Sequence, residues 1–223
     1  MWERAEVPFE FCGCVELRQM LGLKAKTEKE LADLLRQVSL DSVYYHTHGP
    51  LLRHRYRAGV YSNDFATWAA VEVRDLVLGE RLAVIDPLSF DSLSSLREEI
   101  VSAIDNHLAS ITVVPRVVYG APFEFIESTL MGVPTGLETY TLEEFVQALS
   151  EIDDTTIYYH AIETRVRLKP ARTHFSAWLR DRLNLPSLAA RVQALDPYAV
   201  GLERIRSQML AYCGQVLSLG RDL

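Results

Sequence analysis

The sequence has little of several features that would place it in a specialised class of protein. Among its 223 residues there are three cysteines, an odd number and too few for a disulfide framework. Its 11 glycines and 9 prolines are scattered rather than periodic, which excludes collagen-like and low-complexity chains. No apolar run reaches the roughly 18 residues that a membrane-spanning helix needs. The chain is expected to fold around a core of its own, since 48% of its residues are hydrophobic.

Basic residues are in the minority. There are 23 Lys and Arg against 30 Asp and Glu, for a formal net charge of −7 and a pI near 5.4. This is the wrong sign for a protein that binds nucleic acid or an anionic membrane, so we expect neither partner. The first residues show neither the basic nor the apolar segment of a signal peptide. Together with the low cysteine content, this predicts a cytoplasmic protein.

Known catalytic motifs are also missing. There is no Gly-rich phosphate loop, no His-Glu-x-x-His and no Gly-x-Ser-x-Gly. His46 and His48 are two positions apart, which separates them by about 200° around a helix and prevents them from chelating one ion there. Cys12 and Cys14 are replaced by Ile126 and Ser128 at the corresponding places of the repeat described next, which favours packing over redox chemistry. The sequence therefore predicts no cofactor and no metal.

What the sequence does contain is an internal repeat. The matched segments are Pro8-Phe9-Glu10-Phe11 with Pro122-Phe123-Glu124-Phe125 and Tyr44-Tyr45-His46 with Tyr158-Tyr159-His160 at an offset of 114, Phe65–Trp68 with Phe175–Trp178 at 110, and Leu93 with Leu202 at 109. Such self-similarity is the signature of a duplicated supersecondary unit. We predict two repeat units, residues 1–112 and 113–223, docked about a pseudo-twofold axis as one globular body.

Local signals predict a helix-rich α+β fold, in which each unit has a short N-terminal strand followed by helices. Alternating apolar residues predict the strands at 8–11 and 122–125. Capping boxes, Thr27-x-x-Glu30 and Thr141-x-x-Glu144, predict where the first helices begin. The remaining predicted helices begin at Val43 and Ile157, follow the caps Asn63 and Thr173, and span 93–108 and 202–217.

The candidate ligand-binding residues are tyrosines, histidines and cations that cluster in each unit. They are Tyr44, Tyr45, His46, His48, Arg53 and Arg55 in the first unit and Tyr158, Tyr159, His160, Arg167 and Lys169 in the second. Tyrosine offers a hydroxyl and an aromatic face, histidine titrates near neutrality, and guanidinium groups bind phosphate or carboxylate bidentately. The alternatives are that the Tyr-Tyr-His triplets belong to the core and that the cations pair with acidic groups of the same chain.

The same residues resemble a known family. Pro-Phe-Glu-Phe, Ser42-Val43-Tyr44-Tyr45-His46-Thr47-His48, Asn63-Asp64-Phe65 and the second Tyr-Tyr-His resemble the uncharacterised prokaryotic DUF5752 domain over almost the whole chain. The second unit departs from that pattern at Thr173-His174-Phe175, where Asn-Asp-Phe is expected. The resemblance implies an accessory role near carbohydrate-active enzymes such as glycosyltransferases, and it supplies no catalytic residues.

The function that these observations favour is a non-catalytic binding or assembly module. Its Tyr/His/Arg-lined surface would face a protein partner or a small anionic ligand, and a homodimer is left open. The alternative is a small enzyme that acts on a phosphorylated sugar with His46 or His160 as general acid/base.

Overall fold

The structure is a computed structural model that describes residues 4–53, 61–167 and 172–222. As predicted, the fold is helix-rich α+β. Its sheet, within the described residues, pairs two antiparallel strands, β1 (Phe9–Ala25) and β2 (Phe123–Thr139). None of the described helices combines the length and apolarity needed to cross a bilayer.

The chain forms two compact units. Residues Glu16–Thr129 make up one, the continuous unit, and Met1–Val15 together with Leu130–Leu223 make up the other, the split unit. A single cut between residues 112 and 113 was predicted, whereas here each strand is divided between the units. Residues 9–15 of β1 belong to the split unit, and residues 123–129 of β2 belong to the continuous unit. The duplication and the pseudo-twofold arrangement stay predictions.

In the continuous unit, six α-helices are described. They are α1 (Glu28–Leu35), α2 (Leu40–Thr47), α3 (Gly49–Arg53), α4 (Asp64–Trp68), α5 (Leu76–Ala83) and α6 (Leu93–Ala109). A π-helical turn, Ala69–Val73, follows α4, and a 3-10 turn, Pro87–Ser89, precedes α6. The core of this unit packs Phe123 and Phe125 of β2 against apolar faces of the helices.

In the split unit, seven α-helices are described. They are α7 (Leu142–Glu151), α8 (Asp154–Tyr158), α9 (Thr164–Arg167), α10 (His174–Asp181), α11 (Pro186–Gln193), α12 (Pro197–Val200) and α13 (Leu202–Leu219). A π-helical turn, Tyr159–Glu163, joins α8 to α9. Phe9 and Phe11 of β1 are buried in this unit, where Phe9 contacts the rings of Phe145 and Phe175.

Helix caps agree with the sequence at some ends and correct it at others. Thr141 forms the full predicted capping box with Glu144. Asn63 and Thr173 cap α4 and α10 as predicted. The predicted starts at Val43 and Ile157 were wrong by three residues, because the side chains that accept the first amide protons belong to Ser39 and Asp153.

The strands are the largest departure from the predicted elements. Each spans 17 residues rather than four. Only the beginning of β1 alternates buried with exposed positions, as Phe9 and Phe11 do, and its second half is mostly exposed. Because alternating burial is what makes a strand visible in a sequence, the exposed half gave no signal.

Candidate functional site

A histidine anchors the strand to the helices in each unit. In the split unit, Nε2 of His160 accepts the backbone N–H of Cys12 at 2.9 Å. In the continuous unit, Nε2 of His46 accepts the backbone N–H of Ile126 at 3.1 Å. The two imidazoles also have equivalent ring neighbours, His160 lying 4.8 Å from Phe9 and His46 lying 4.7 Å from Phe123. The Tyr-Tyr-His triplets thus place a hydrogen-bond acceptor against a strand.

These hydrogen bonds fix the tautomer of each ring. A neutral imidazole whose Nε2 accepts carries its proton on Nδ1. Nδ1 of His46 lies 3.0 Å from Oδ2 of Asp64, and Nδ1 of His160 lies 3.2 Å from Nδ1 of His174. Burial lowers the pKa of His46 despite Asp64. Burial and the nearby His174 lower the pKa of His160 to about 3, so His160 is neutral at physiological pH.

Arg53, a candidate for anion binding, is engaged within the continuous unit. Its guanidinium donates to Oδ2 of Asp64 at 2.7 Å and to the carbonyl of Tyr45 at 3.0 Å. It lies 3.8 Å above the Tyr45 ring and 3.8 Å from Oε1 of Glu16. The Arg53 side chain is only 10% exposed. Its pairing with two acidic groups of its own unit leaves it little capacity for an anion from solvent.

The other sequence candidates lie in different surroundings. Tyr44, Tyr158 and His48 are essentially fully buried, so their side chains belong to the interior of their units. Arg167 is the last residue of α9. Arg55 and Lys169 lie outside the described residues.

A cavity of about 420 Å³ opens in the split unit beside His160. The aromatic residues in its wall are Phe9, Tyr159 and Trp178, and its polar residues are Glu10, Cys12, His160, His174, Asp181 and Arg182. Two of the predicted ligand-binding residues, Tyr159 and His160, therefore meet there. Sequence reasoning did not select His174, although its departure from the family pattern was the available signal.

Three titratable groups of the cavity wall, Cys12, Tyr159 and His174, have pKa values shifted in the direction that favours their neutral forms. Burial raises the pKa of the Cys12 thiol and of the Tyr159 hydroxyl, and it lowers the pKa of His174. Since His160 donates from Nδ1 to His174 Nδ1, the proton of His174 resides on Nε2. Thiol, phenol and imidazole thus offer hydrogen bonds without charge. The charged members of the wall are two carboxylates and one guanidinium.

Local backbone geometry brings Tyr159 and His160 to this cavity. Both residues lie in the π-helical turn that joins α8 to α9. Such turns insert an extra residue into a helix and are frequent at functional sites. The Tyr159 ring lies against the backbone of Gly132 in β2, where a Cβ would come within 2.9 Å of the tyrosine hydroxyl oxygen. Glycine at 132 therefore leaves room for the ring.

A second polar cluster lies inside the continuous unit, where no site was predicted. Ligand atoms of Glu28, Asp75 and His107 all lie within 4.8 Å of one another. Burial, and secondarily Asp75, raises the pKa of Glu28 to about 8. These residues are far apart in sequence, so no local motif marks them. The signal that was available is their alignment in the repeat, where apolar residues stand opposite them.

The match to known proteins agrees with the resemblance seen in the sequence. The profile of a family of unknown function, DUF5752, matches residues 6–214. The chain belongs to the DUF5752 family. The structure of OrfY from Thermoproteus tenax is similar to that of this family member, with a TM-score of 0.79 and 22% sequence identity over 96% of this chain and 97% of that chain. At that identity the likeness shows the fold. No curated protein matches the chain.

Proposed function

We propose that this protein is a non-catalytic binding module that takes a small, uncharged, polyhydroxylated ligand of the carbohydrate class in the cavity of the split unit. The observation that carries the proposal is a cavity of about 420 Å³ that combines aromatic walls with a phenol and an imidazole whose pKa shifts favour their neutral forms. Ligand sites combine mostly apolar walls with a few convergent polar groups, and 300–1,000 Å³ is their usual size.

Charge argues against the anionic ligand that the sequence suggested. Glu10 and Asp181 place two carboxylates in the cavity wall against the one guanidinium of Arg182. An anion would meet a wall of net negative charge, whereas sugar hydroxyls donate to carboxylates and accept from guanidinium and imidazole N–H groups. The carbohydrate class also fits the accessory role that the family resemblance implies.

The enzyme alternative is weaker on the same geometry. A general acid/base works best with a pKa near the operating pH. His160 has a pKa of about 3, and its Nε2 is engaged by the Cys12 amide. His46 is 3% exposed, with both ring nitrogens within hydrogen-bond distance of protein atoms. Neither ring is poised to exchange a proton with a substrate.

The test is calorimetric titration with neutral mono- and disaccharides, with glucose 6-phosphate and inorganic phosphate as separate arms. We expect a neutral sugar to bind. Asp181→Ala and Arg182→Ala should each weaken that binding by about tenfold, the loss of one hydrogen bond to a charged group. Both residues are exposed on the split unit, so the folded state should tolerate either substitution.

Matched controls are Glu99→Ala and Arg204→Ala, which remove the same charges from exposed positions outside the cavity wall. Their affinities should equal that of the wild type. The proposal is wrong if no neutral sugar binds, or if glucose 6-phosphate or inorganic phosphate binds more tightly than every neutral sugar. It is also wrong if the control variants lose as much affinity as the Asp181 and Arg182 variants.

A further inference from the structure

The cluster of Glu28, Asp75 and His107 places three potential metal ligands together inside the continuous unit. Nε2 of His107 lies 2.8 Å from Oδ2 of Asp75 and 3.7 Å from Oε2 of Glu28. Glu28 is 0% exposed and His107 is 3% exposed, while the Asp75 side chain is 15% exposed. The cluster is therefore interior, with Asp75 on its solvent side.

Glu28 is the least satisfied member of the cluster. Both of its carboxylate oxygens are buried without a hydrogen-bond partner among the described residues. A buried carboxylate without a partner costs several kcal/mol, and native structures rarely keep one without a reason. When both carboxyl groups are ionised, as metal ligation requires, they repel each other, and a bound cation would relieve that repulsion.

The split unit shows that the fold does not need polar residues at these places. Glu28 and Leu142 are each the first residue of a helix, α1 and α7. Asp75 immediately precedes α5 in the continuous unit, and Leu185 immediately precedes α11 in the split unit.

The third member follows the same correspondence. His107 and Val216 stand at the same distance from the first residues of α6 and α13. Leu142, Leu185 and Val216 are 0%, 2% and 0% exposed. Three positions that are buried and apolar in the split unit are thus Glu, Asp and His in the continuous unit.

Helix capping does not account for the cluster. The N-cap of α1 is Thr27, whose hydroxyl accepts the Glu30 amide proton, so the Glu28 carboxylate is not needed there. Asp75 caps α5 through Oδ1 at 2.9 Å from the Leu78 nitrogen. That contact leaves Oδ2 directed to His107.

We propose that Glu28, Asp75 and His107 form a binding site for a divalent transition-metal ion, with Zn²⁺ and Mn²⁺ as the ions best matched to its one nitrogen and two oxygen ligands. An ion about 2.1 Å from each ligand atom would hold neighbouring ligands about 3.0–3.4 Å apart. The observed distances of 2.8 and 3.7 Å bracket that range. Two carboxylates and a neutral imidazole would make the occupied site electrically neutral, and the metal would take the place of the missing partners of Glu28.

The experiment measures metal binding to the full chain after chelator treatment. Calorimetric titration with Zn²⁺ and with Mn²⁺ should show one site for at least one of them. At free metal about 100 times Kd, the melting temperature should rise by roughly 5–10 °C. Co²⁺ bound in place of either ion should give visible absorption bands that Glu28→Gln abolishes.

The decisive variant replaces all three residues by their counterparts in the split unit, Glu28→Leu, Asp75→Leu and His107→Val. It should bind no metal at this stoichiometry, and its melting temperature should not respond to metal. Because its residues are those that the split unit buries, it should fold even where single substitutions do not. Glu80→Gln, on the exposed face of α5, is the control and should bind metal normally. The proposal is overturned if the wild type binds neither ion, or if the triple variant binds as well as the wild type.

Discussion

At the scale of single residues, the two strand-anchoring histidines give a direct prediction on stability. His160→Leu and His46→Leu each remove the acceptor of a strand amide, at Cys12 and Ile126 respectively. An amide left without its partner in the interior should lower the free energy of unfolding by about 1–3 kcal/mol. Urea unfolding measures this loss as a shift in the midpoint of the transition, with no change in the dependence of the unfolding free energy on urea concentration.

His174→Leu is the matched control for the histidine variants. His174 is half-buried and hydrogen-bonds a side chain rather than a strand amide, so its loss should cost less than that of His160. Equal unfolding midpoints for wild type and His160→Leu would show that the strand amide needs no acceptor, contrary to our interpretation.

The low pKa of His160 makes stability depend on pH. Its pKa is about 3 in the folded chain and about 6.5 when unfolded. Between these values the unfolded state binds the extra proton, so stability is full above pH 6.5 and falls as the pH drops towards 3. For one proton the slope is at most about 1.4 kcal/mol per pH unit.

Chemical unfolding of wild type and His160→Gln at a series of pH values isolates that contribution. The slope of the variant should be shallower across this window, because glutamine does not titrate. Parallel slopes for the two proteins would mean that His160 is not held neutral by its surroundings.

At the scale of elements, a glycine lets α5 approach its neighbours closely. A Cβ on Gly79 would lie 2.7 Å from Cβ of Ala70 and 3.2 Å from the carbonyl oxygen of Ala66. Gly79→Ala should therefore destabilise the protein by about 1–3 kcal/mol through overpacking, although alanine is the better helix former by about 1 kcal/mol.

The corresponding fourth position of α11 in the split unit is Ala189, which is fully buried. Ala189→Gly is the reciprocal variant and should be destabilising by about 1 kcal/mol or somewhat more, through helix propensity and the lost methyl group. A more stable Gly79→Ala protein in denaturant unfolding would contradict the close approach.

The sequence predicted elements where a local signal marks their ends. The helices that begin at Leu93 and Leu202, and the caps Asn63 and Thr173, were predicted because each is defined by neighbours in sequence. The π-helical turn that carries Tyr159, whose ring lies against Gly132 of β2, was not predicted, since no local sequence signal marks it. The predicted start at Val43 was wrong because Ser39, Asp41 and Ser42 are all residue types that cap helices, and the sequence does not show which of them does so.

At the scale of the whole molecule, the repeat predicted which residues are equivalent but not what they contact. Nε1 of Trp68 donates to the carbonyl of Ala121 at 3.0 Å, and Nε1 of Trp178 donates to that of Val7 at 3.1 Å. The two tryptophans are matched in the repeat at an offset of 110 residues, and their hydrogen-bond partners Val7 and Ala121 are matched at an offset of 114. That each tryptophan contacts a segment so distant in sequence could not be predicted, because no local pattern encodes such pairing.

The same limit explains the candidate sites. Tyr159 and His160 were predicted because they stand side by side in a repeated motif. Glu28, Asp75 and His107 were missed because only the folding of α1, α5 and α6 brings them together.

The division of β1 between the two units has a consequence for biosynthesis. Phe9 and Phe11 leave the ribosome well before their ring partners, which include Phe145, Phe175 and Trp178. At roughly 5–20 residues per second, the nascent strand waits on the order of 10–30 s for those partners. During that interval the strand is unpaired and its two aromatic rings are exposed, so chaperones can bind it. A chain whose synthesis stops before residue 145 lacks these ring partners and cannot bury the two rings against them.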